Sequence, residues 1–294
     1  MADATARDLG EFGLIARVLE RLGTSPAVLL GPGDDAAVVA VPDGRVVATT
    51  DVLVEGVHFR RDWSSAYDVG RKAAAANLAD VAAMGGRGTA LLVGLAAPAD
   101  LPVDWAVGLA DGLRDEAALV GAVVVGGDTV RSEVLVVSVT ALGDLQGRAP
   151  VTRAGARPGD VVVLAGELGR SAAGLALLRE GTMSGPLVDA HRRPTPPYDL
   201  GPVLADAGAT AMCDVSDGLL ADLGHIAVAS AVHVDVDPAD ELFLTGGEDH
   251  ALVATLPADA EVPAGCRVIG RVLDGPAQVT VAGRPRTGGW DHYA

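Results

Sequence analysis

The stretch AYDVGRKAAAANLADVAAMGG, residues 66–86, decides how the first half of this chain folds. It is rich in alanine, the best helix former, no proline interrupts it, and Gly85-Gly86 closes it. It therefore reads as one long helix over Ala66–Met84. Asn77 and Asp80 stand inside it against propensity, spaced i, i+3 on one helix face. Upstream, Phe12, Ile15, Leu19 and Leu22 predict an amphipathic helix over Glu11–Leu22. Ala36–Val41 and Arg45–Thr50 are β-branched runs joined by Pro42-Asp43-Gly44, a hairpin signal. Downstream the pattern predicts strand Thr89–Ala96, helix Val103–Leu119, strand Ala122–Val125 and strand Val134–Leu142. Hairpins mixed with crossovers predict an α+β fold with mixed sheets, not a doubly wound one.

Gln146–Gly159 is polar and rich in Gly, Pro and Arg, which predicts a domain boundary there and two domains, 1–148 and 149–294. The second half predicts strands at Asp160–Ala165, Thr210–Cys213, Val232–Val236, Ala251–Leu256 and Cys266–Val272. Helices are predicted at Arg170–Glu180, Leu200–Ala207 and Leu219–Ala229, with a proline-rich loop at 193–197.

Composition narrows the class. Hydrophobic residues make up 49% and aromatics only 3%, so the core must be built from Val, Leu and Ala. A net charge of −17 argues against nucleic-acid or anionic-membrane partners, which need clustered Lys and Arg. The longest apolar runs fall far short of the roughly 20 residues needed to cross a bilayer. The N-terminal segment carries Asp3, Asp8 and Glu11 in place of a basic, then apolar, signal. Cys213 and Cys266 have no metal spacing and read as inert core thiols. A cytoplasmic protein is the expectation.

Carboxylates recur where apolar segments meet glycine-rich or polar turns: Asp34-Asp35 after Gly31-Pro-Gly, Asp51 after Thr49-Thr50, Asp80, Asp128 after Gly126-Gly127, and Asp214 with Ser216-Asp217-Gly218. Each alone is common turn chemistry. Together they suit magnesium, a hard ion that takes one or two protein carboxylates and completes its shell with water and phosphate. Neighbouring glycines let backbone N–H groups approach phosphate oxygens. Metal ions would also reconcile a strongly acidic protein with a polyphosphate ligand. No G-x-x-x-x-G-K-[ST] loop, protein-kinase glycine loop, dinucleotide fingerprint or G-x-S-x-G elbow is present.

The ordered series of motifs resembles the thiamine-monophosphate kinase family, within the superfamily containing aminoimidazole ribonucleotide synthetase. The matching pieces are GPGDDAA (31–37), TTDVLVEGVHF (49–59), Lys72 through Gly85, GGDT (126–129), Arg153-Ala-Gly with Pro158-Gly-Asp160, DVSDGL (214–219), GGED (246–249) and WDHY (290–293). The resemblance implies a two-domain aminoimidazole ribonucleotide synthetase-like fold with helices on the outer faces of mixed sheets. It implies a homodimer through the N-terminal halves, with the C-terminal half completing the ATP and substrate sites. It implies magnesium ligands at Asp35, Thr49, Thr50, Asp51, Asp80, Asp128, Asp214 and Asp217, with Asp34 a weaker candidate. ATP contacts are implied at Gly127, Asp128, Arg153 and Ser216, and contacts to thiamine monophosphate at His58, Glu248 and Tyr293. His191, His225 and His233 read as structural. Two departures stand out: only ten residues separate Asp235 from Gly246, and His250 replaces the usual aromatic.

The implied reaction moves the γ-phosphoryl group of ATP onto thiamine monophosphate in line, with several Mg2+ ions. Because the acceptor phosphate is already an anion, no general base is required. The competing readings are another ATP-using superfamily member, such as a hydrogenase maturation factor, and a non-catalytic divalent-cation-binding protein. The former would carry a C-terminal cysteine, whereas this chain ends Tyr293-Ala294. For the latter, no EF-hand spacing is present.

Overall fold

The computed structural model describes residues 5–30 and 37–290. It divides into two compact units, Met1–Val81 with Gly88–Asp144, and Ala82–Arg87 with Leu145–Ala294.

The first unit contains α1 (Ala6–Leu19), β1 (Val28–Leu30), β2 (Val38–Val39), β3 (Val47–Val54), α2 (Ala66–Ala83), β4 (Arg87–Ala97), α3 (Val103–Ala118), β5 (Val123–Arg131) and β6 (Val136–Asp144). Its main sheet has the order β3-β6-β4-β5. Helix α1 begins earlier than the apolar spacing predicts because Thr5 and Asp8 form a capping box. The predicted hairpin across Pro42-Asp43-Gly44 does not form. Strand β2 pairs with β1, and β3 pairs over its full length with β6. Eight residues of ladder to β6 outweigh the local turn signal, and they leave alternate β3 residues to be covered by α2.

Helices α2 and α3 approach until their backbones touch. A Cβ on Gly70 would lie 2.2 Å from the Leu109 carbonyl oxygen, and one on Gly112 would lie 2.1 Å from that of Tyr67. Only glycine allows this approach. Ala73, Ala74, Ala75 and Ala79 of α2 are wholly inaccessible, so the helix is covered on more than one side.

The second unit contains β7 (Val161–Ala165), α4 (Arg170–Arg179), α5 (Pro186–Arg192), α6 (Leu200–Asp206), β8 (Ala211–Val215), α7 (Leu219–Ser230), β9 (His233–Val236), α8 (Glu241–Thr245), β10 (Ala251–Leu256), β11 (Cys266–Leu273), β12 (Gln278–Val281) and β13 (Arg284–Pro285). They form a seven-stranded sheet of order β13-β12-β9-β11-β7-β10-β8. Strands β8 and β10 are buried at every position because both sheet faces are covered, which explains why they are apolar apart from Asp214 and Thr255. One core packs Leu219, Leu223 and Ile226 of α7 against Val215 and Val253. The other packs Ala82, Ala83 and Leu204 against Met212, Leu252 and Ala254. Among the described residues no helix is long and apolar enough to cross a membrane.

Candidate functional site

In the first unit, β3 and α2 bring together four of the polar residues singled out above. Thr49 donates its hydroxyl to the Asp80 carboxylate at 2.6 Å. The Asp51 N–H donates to Asn77 Oδ1 at 3.0 Å, and Asn77 Nδ2 donates to the Ala73 carbonyl at 2.9 Å. Asn77 is wholly buried, so its amide is a clamp between strand and helix. The i, i+3 spacing of Asn77 and Asp80 thus aims both at one strand.

Alternation along β3 separates neighbours in the Thr-Thr-Asp motif. Thr49 and Asp51 pair with the buried residues Ala141 and Val139, on the face that α2 covers. Thr50 lies on the opposite face, bonded to the Val139 carbonyl at 3.0 Å and to Thr140 at 3.1 Å. Gly126, Gly127 and Asp128 lie inside β5, not in a turn, and Asp128 pairs with Gly94. A Cβ on Gly94 would face Ser138, so Asp128 shares the face of Thr50. Strand β5 is the far edge from β3, three strand spacings or about 14 Å away.

His58 is half-buried in the loop after β3. Its Nδ1 accepts the Val54 N–H at 3.1 Å. Lys72, the chain's one lysine, is buried and donates to the His58 carbonyl at 3.1 Å.

In the second unit, two turns run side by side beyond the β8–β10 ladder. The Glu248 N–H donates to the Ser216 carbonyl at 2.7 Å, and the His250 N–H to that of Val215 at 3.0 Å. Gly247 makes the approach possible, because a Cβ there would lie 2.4 Å from the Ser216 carbonyl oxygen. Asp214 is buried and contacts His250 Nδ1 at 3.0 Å. Asp217 and Gly218 both donate their N–H to Asp222 Oδ2 at 3.1 Å. Burial first, then the Asp214 and Asp217 charges, push the Asp222 carboxyl up to about 7 against the pull of those two N–H groups. Asp249 accepts the Gly169 and Ser171 N–H groups at 2.7 Å each. His191 places Nδ1 3.0 Å from Ser171 Oγ and 3.6 Å from Glu248 Oε2. Arg153 is exposed, and its carbonyl accepts the Ser230 hydroxyl. Burial pushes the Cys213 thiol well above its ordinary value, as an inert core thiol requires.

Asp34, Asp35 and Tyr293 lie outside the described residues. Among the described residues no three His, Cys, Asp or Glu side chains gather closely enough to hold a metal by themselves. Thr49, Asp51 and Asp80 offer hydroxyl and carboxylate oxygen only. That donor set fits magnesium, which takes few protein ligands, and does not fit zinc.

A protein named thiamine-monophosphate kinase from Mycobacterium tuberculosis (strain ATCC 25618 / H37Rv) is 52% identical over 98% of this chain and 93% of its own length. The chain belongs to the thiamine-monophosphate kinase family. Models of the AIR synthase related protein match as well, the N-terminal domain over residues 33–145 and the C-terminal domain over residues 157–282. A solved thiamine-monophosphate kinase from Stenotrophomonas maltophilia K279a superposes with a TM-score of 0.79 at 36% identity, covering 93% of this chain and 95% of its own. The structure "AaThiL complexed with AMPPCP and TMP" superposes with a TM-score of 0.79 at 35% identity, covering 97% and 98%. The fold is thus the two-domain α+β fold of the AIR synthase family, and the chain is a kinase.

Within the thiamine-monophosphate kinase motifs, structure adds residues to which the sequence gives no role. Asn77 fixes Asp51, Asp222 shapes the Asp217-Gly218 turn, and Lys72 holds the His58 backbone. Asp222 carries a faint signal, an acid one helical turn inside α7 that folds back on the preceding N–H groups. Lys72 carries another, a lone cation on a buried helix face.

Proposed function

We propose that this chain transfers the γ-phosphoryl group of ATP to the phosphate of thiamine monophosphate, giving ADP and thiamine diphosphate. Relatives across nearly the whole chain bear that kinase's name, and a similar protein was solved with AMPPCP and TMP. One observation of this chain carries the reading. Ser216, the residue implied for ATP, and Glu248, implied for the acceptor, are hydrogen-bonded backbone to backbone at 2.7 Å. That bond supports a reading in which donor and acceptor contacts come from one loop pair, as transfer between two bound phosphates requires.

The residues that would hold magnesium fall into separate sets: Thr49, Asp51 and Asp80 at one face of β3, Thr50 and Asp128 on the opposite sheet face, Asp214 and Asp217 in the second unit, and Asp35. Bound magnesium would neutralise the triphosphate and the charge that develops on the transferred group. Gly127, Asp128, Arg153 and Ser216 would hold ATP, with the exposed Arg153 guanidinium free to fork onto phosphate. His58, Glu248 and Tyr293 would orient the acceptor. With an anionic acceptor no general base is needed, so transfer is direct and in line, with no phosphoenzyme. The first unit would bind metal and ATP and form the homodimer, and the second would supply the remaining ATP and substrate contacts. The exposed face of the β3-β6-β4-β5 sheet supports pairing: Val52, Leu92 and Val130 are 47%, 38% and 54% exposed there. A cytoplasmic setting is part of this reading.

A coupled ADP-release assay tests it. ADP should form only when thiamine monophosphate is present, cease with EDTA and return with magnesium. ADP release indifferent to the acceptor, or lasting label on the protein from γ-labelled ATP, would refute it.

A further inference from the structure

We propose that Asp249 is the positioning residue that aims Glu248 at the acceptor, by tying its turn to the start of α4. The inference rests on the reading that Glu248 touches the acceptor. Asp249 is buried and uses both carboxylate oxygens. Oδ2 accepts the Gly169 N–H and Oδ1 the Ser171 N–H, each at 2.7 Å, the short end of N–H···O geometry and typical of bonds to a charged acceptor. Helix α4 has no cap from its own N-terminal side chain, since Gly169 stands there. The acceptor for its first N–H groups comes instead from a turn about eighty residues away in sequence.

The backbone on either side of Asp249 is unusual. Glu248 and His250 both have positive φ, 64° and 53°, a region that residues with a Cβ rarely enter. Such conformations persist only where surroundings over-determine them. Here the Glu248 and His250 N–H groups are tied to the 214–218 turn, and Asp249 ties the same three residues to α4. The three side chains go to different places. His250 reaches Asp214, Asp249 reaches α4, and Glu248 reaches His191, whose ring also contacts Ser171 of α4. The Glu248 carboxylate therefore has its direction set by where α4 begins, and Asp249 is the link that transmits it. A cap that merely stabilised α4 would leave substrate recognition unchanged.

The test is steady-state kinetics, varying thiamine monophosphate and ATP separately, on wild type, E248Q, D249N and the double variant. The expected result is a KM for thiamine monophosphate raised about tenfold or more in E248Q and in D249N, with the KM for ATP within about twofold of wild type. The double variant should be no worse than E248Q alone, because both changes remove one orientation. D249N keeps one acceptor oxygen and the side-chain volume. As a check independent of any variant, Gly169 and Ser171 amides in the wild-type protein should exchange with deuterium as slowly as those of Glu248 and His250. An effective E248Q beside a D249N that leaves the KM for thiamine monophosphate unchanged overturns this inference alone. Full multiplication of the two effects, or fast exchange at Gly169 and Ser171 beside slow exchange in the turn, does the same. An E248Q without effect overturns the Glu248 reading and this inference with it.

Discussion

Asn77 offers the sharpest test of how the β3–α2 junction is held. Replacing it by alanine removes the acceptor of the Asp51 N–H and the donor to the Ala73 carbonyl, at a position with no solvent access. At about 1 kcal/mol for each hydrogen bond, plus the packing of the lost amide, Asn77→Ala should cost about 2–3 kcal/mol. Asn77→Asp behaves differently. A protonated aspartic acid can still accept from Asp51 and donate to Ala73, so at low pH it mimics the amide. An ionised one turns an acceptor towards the Ala73 carbonyl and buries a charge near Asp51 and Asp80. Its folded-state pKa must therefore lie above the unfolded value near 3.9, and stability is lost as pH rises. Each pH unit above about 4 costs about 1.4 kcal/mol until the folded-state group ionises, up to roughly 4 kcal/mol at pH 7. Urea unfolding of the metal-free variants at pH 5 and pH 8 measures both effects, and a magnesium titration of turnover should show a higher midpoint as Asp51 loosens. An alanine variant within about 0.5 kcal/mol of wild type, the range of ordinary surface changes, would refute the clamp. So would an aspartate variant no more pH-sensitive than alanine.

Four further outcomes are expected. Asp80→Asn should lower turnover by orders of magnitude while leaving the fold cooperative, read by coupled ADP release and circular dichroism. Gly247→Ala must displace the Ser216 carbonyl, 2.4 Å from the new Cβ, and should cost about 1–3 kcal/mol in thermal unfolding as well as raising the KM for thiamine monophosphate. Asp222, with its carboxyl raised to about 7, contributes stability below the unfolded value near 3.9 that is lost as pH rises towards 7. Metal-free Asp222→Asn should accordingly gain on wild type between pH 5 and pH 8. Val52→Glu, on the exposed sheet face, should halve the mass seen by light scattering if that face joins two copies.

Much of this architecture was legible in local pattern. The alanine-rich run became α2, closed after Ala83 near the two glycines. The mostly apolar segments became the doubly covered strands β8 and β10. The predicted strand ends at Thr50, whereas β3 runs on through Asp51 to Val54, and only that longer ladder shows that Thr49 and Asp51 share a face that Thr50 does not. Other features had no local signal. Gly126-Gly127-Asp128 resembles a turn, yet its backbone pairs with β4, and a ladder of main-chain bonds leaves no mark on side-chain type. The proline-aspartate-glycine turn kept its Asp43–Arg45 ion pair but joined strands of different sheets, because the partner of β3 lies some ninety residues further on. The short helices α5 and α8 have too few residues to show a period. Asn77 and Asp249 acquire their tasks only from elements distant in sequence, and Asp222 leaves only the faint mark of an acid that folds back on its own turn.

The excursion of the chain at residues 82–87 bears on how the protein is made. Translation delivers the whole first unit by residue 144, so that unit can close while the ribosome is still working. The end of α2 cannot be completed so early. Ala82 and Ala83 belong to a core whose other members, Val151, Leu204, Met212 and Leu252, have yet to emerge. Until they do, an apolar helix end waits uncovered, and a nascent chain stalled near residue 150 would display it to chaperones or to other unfinished copies.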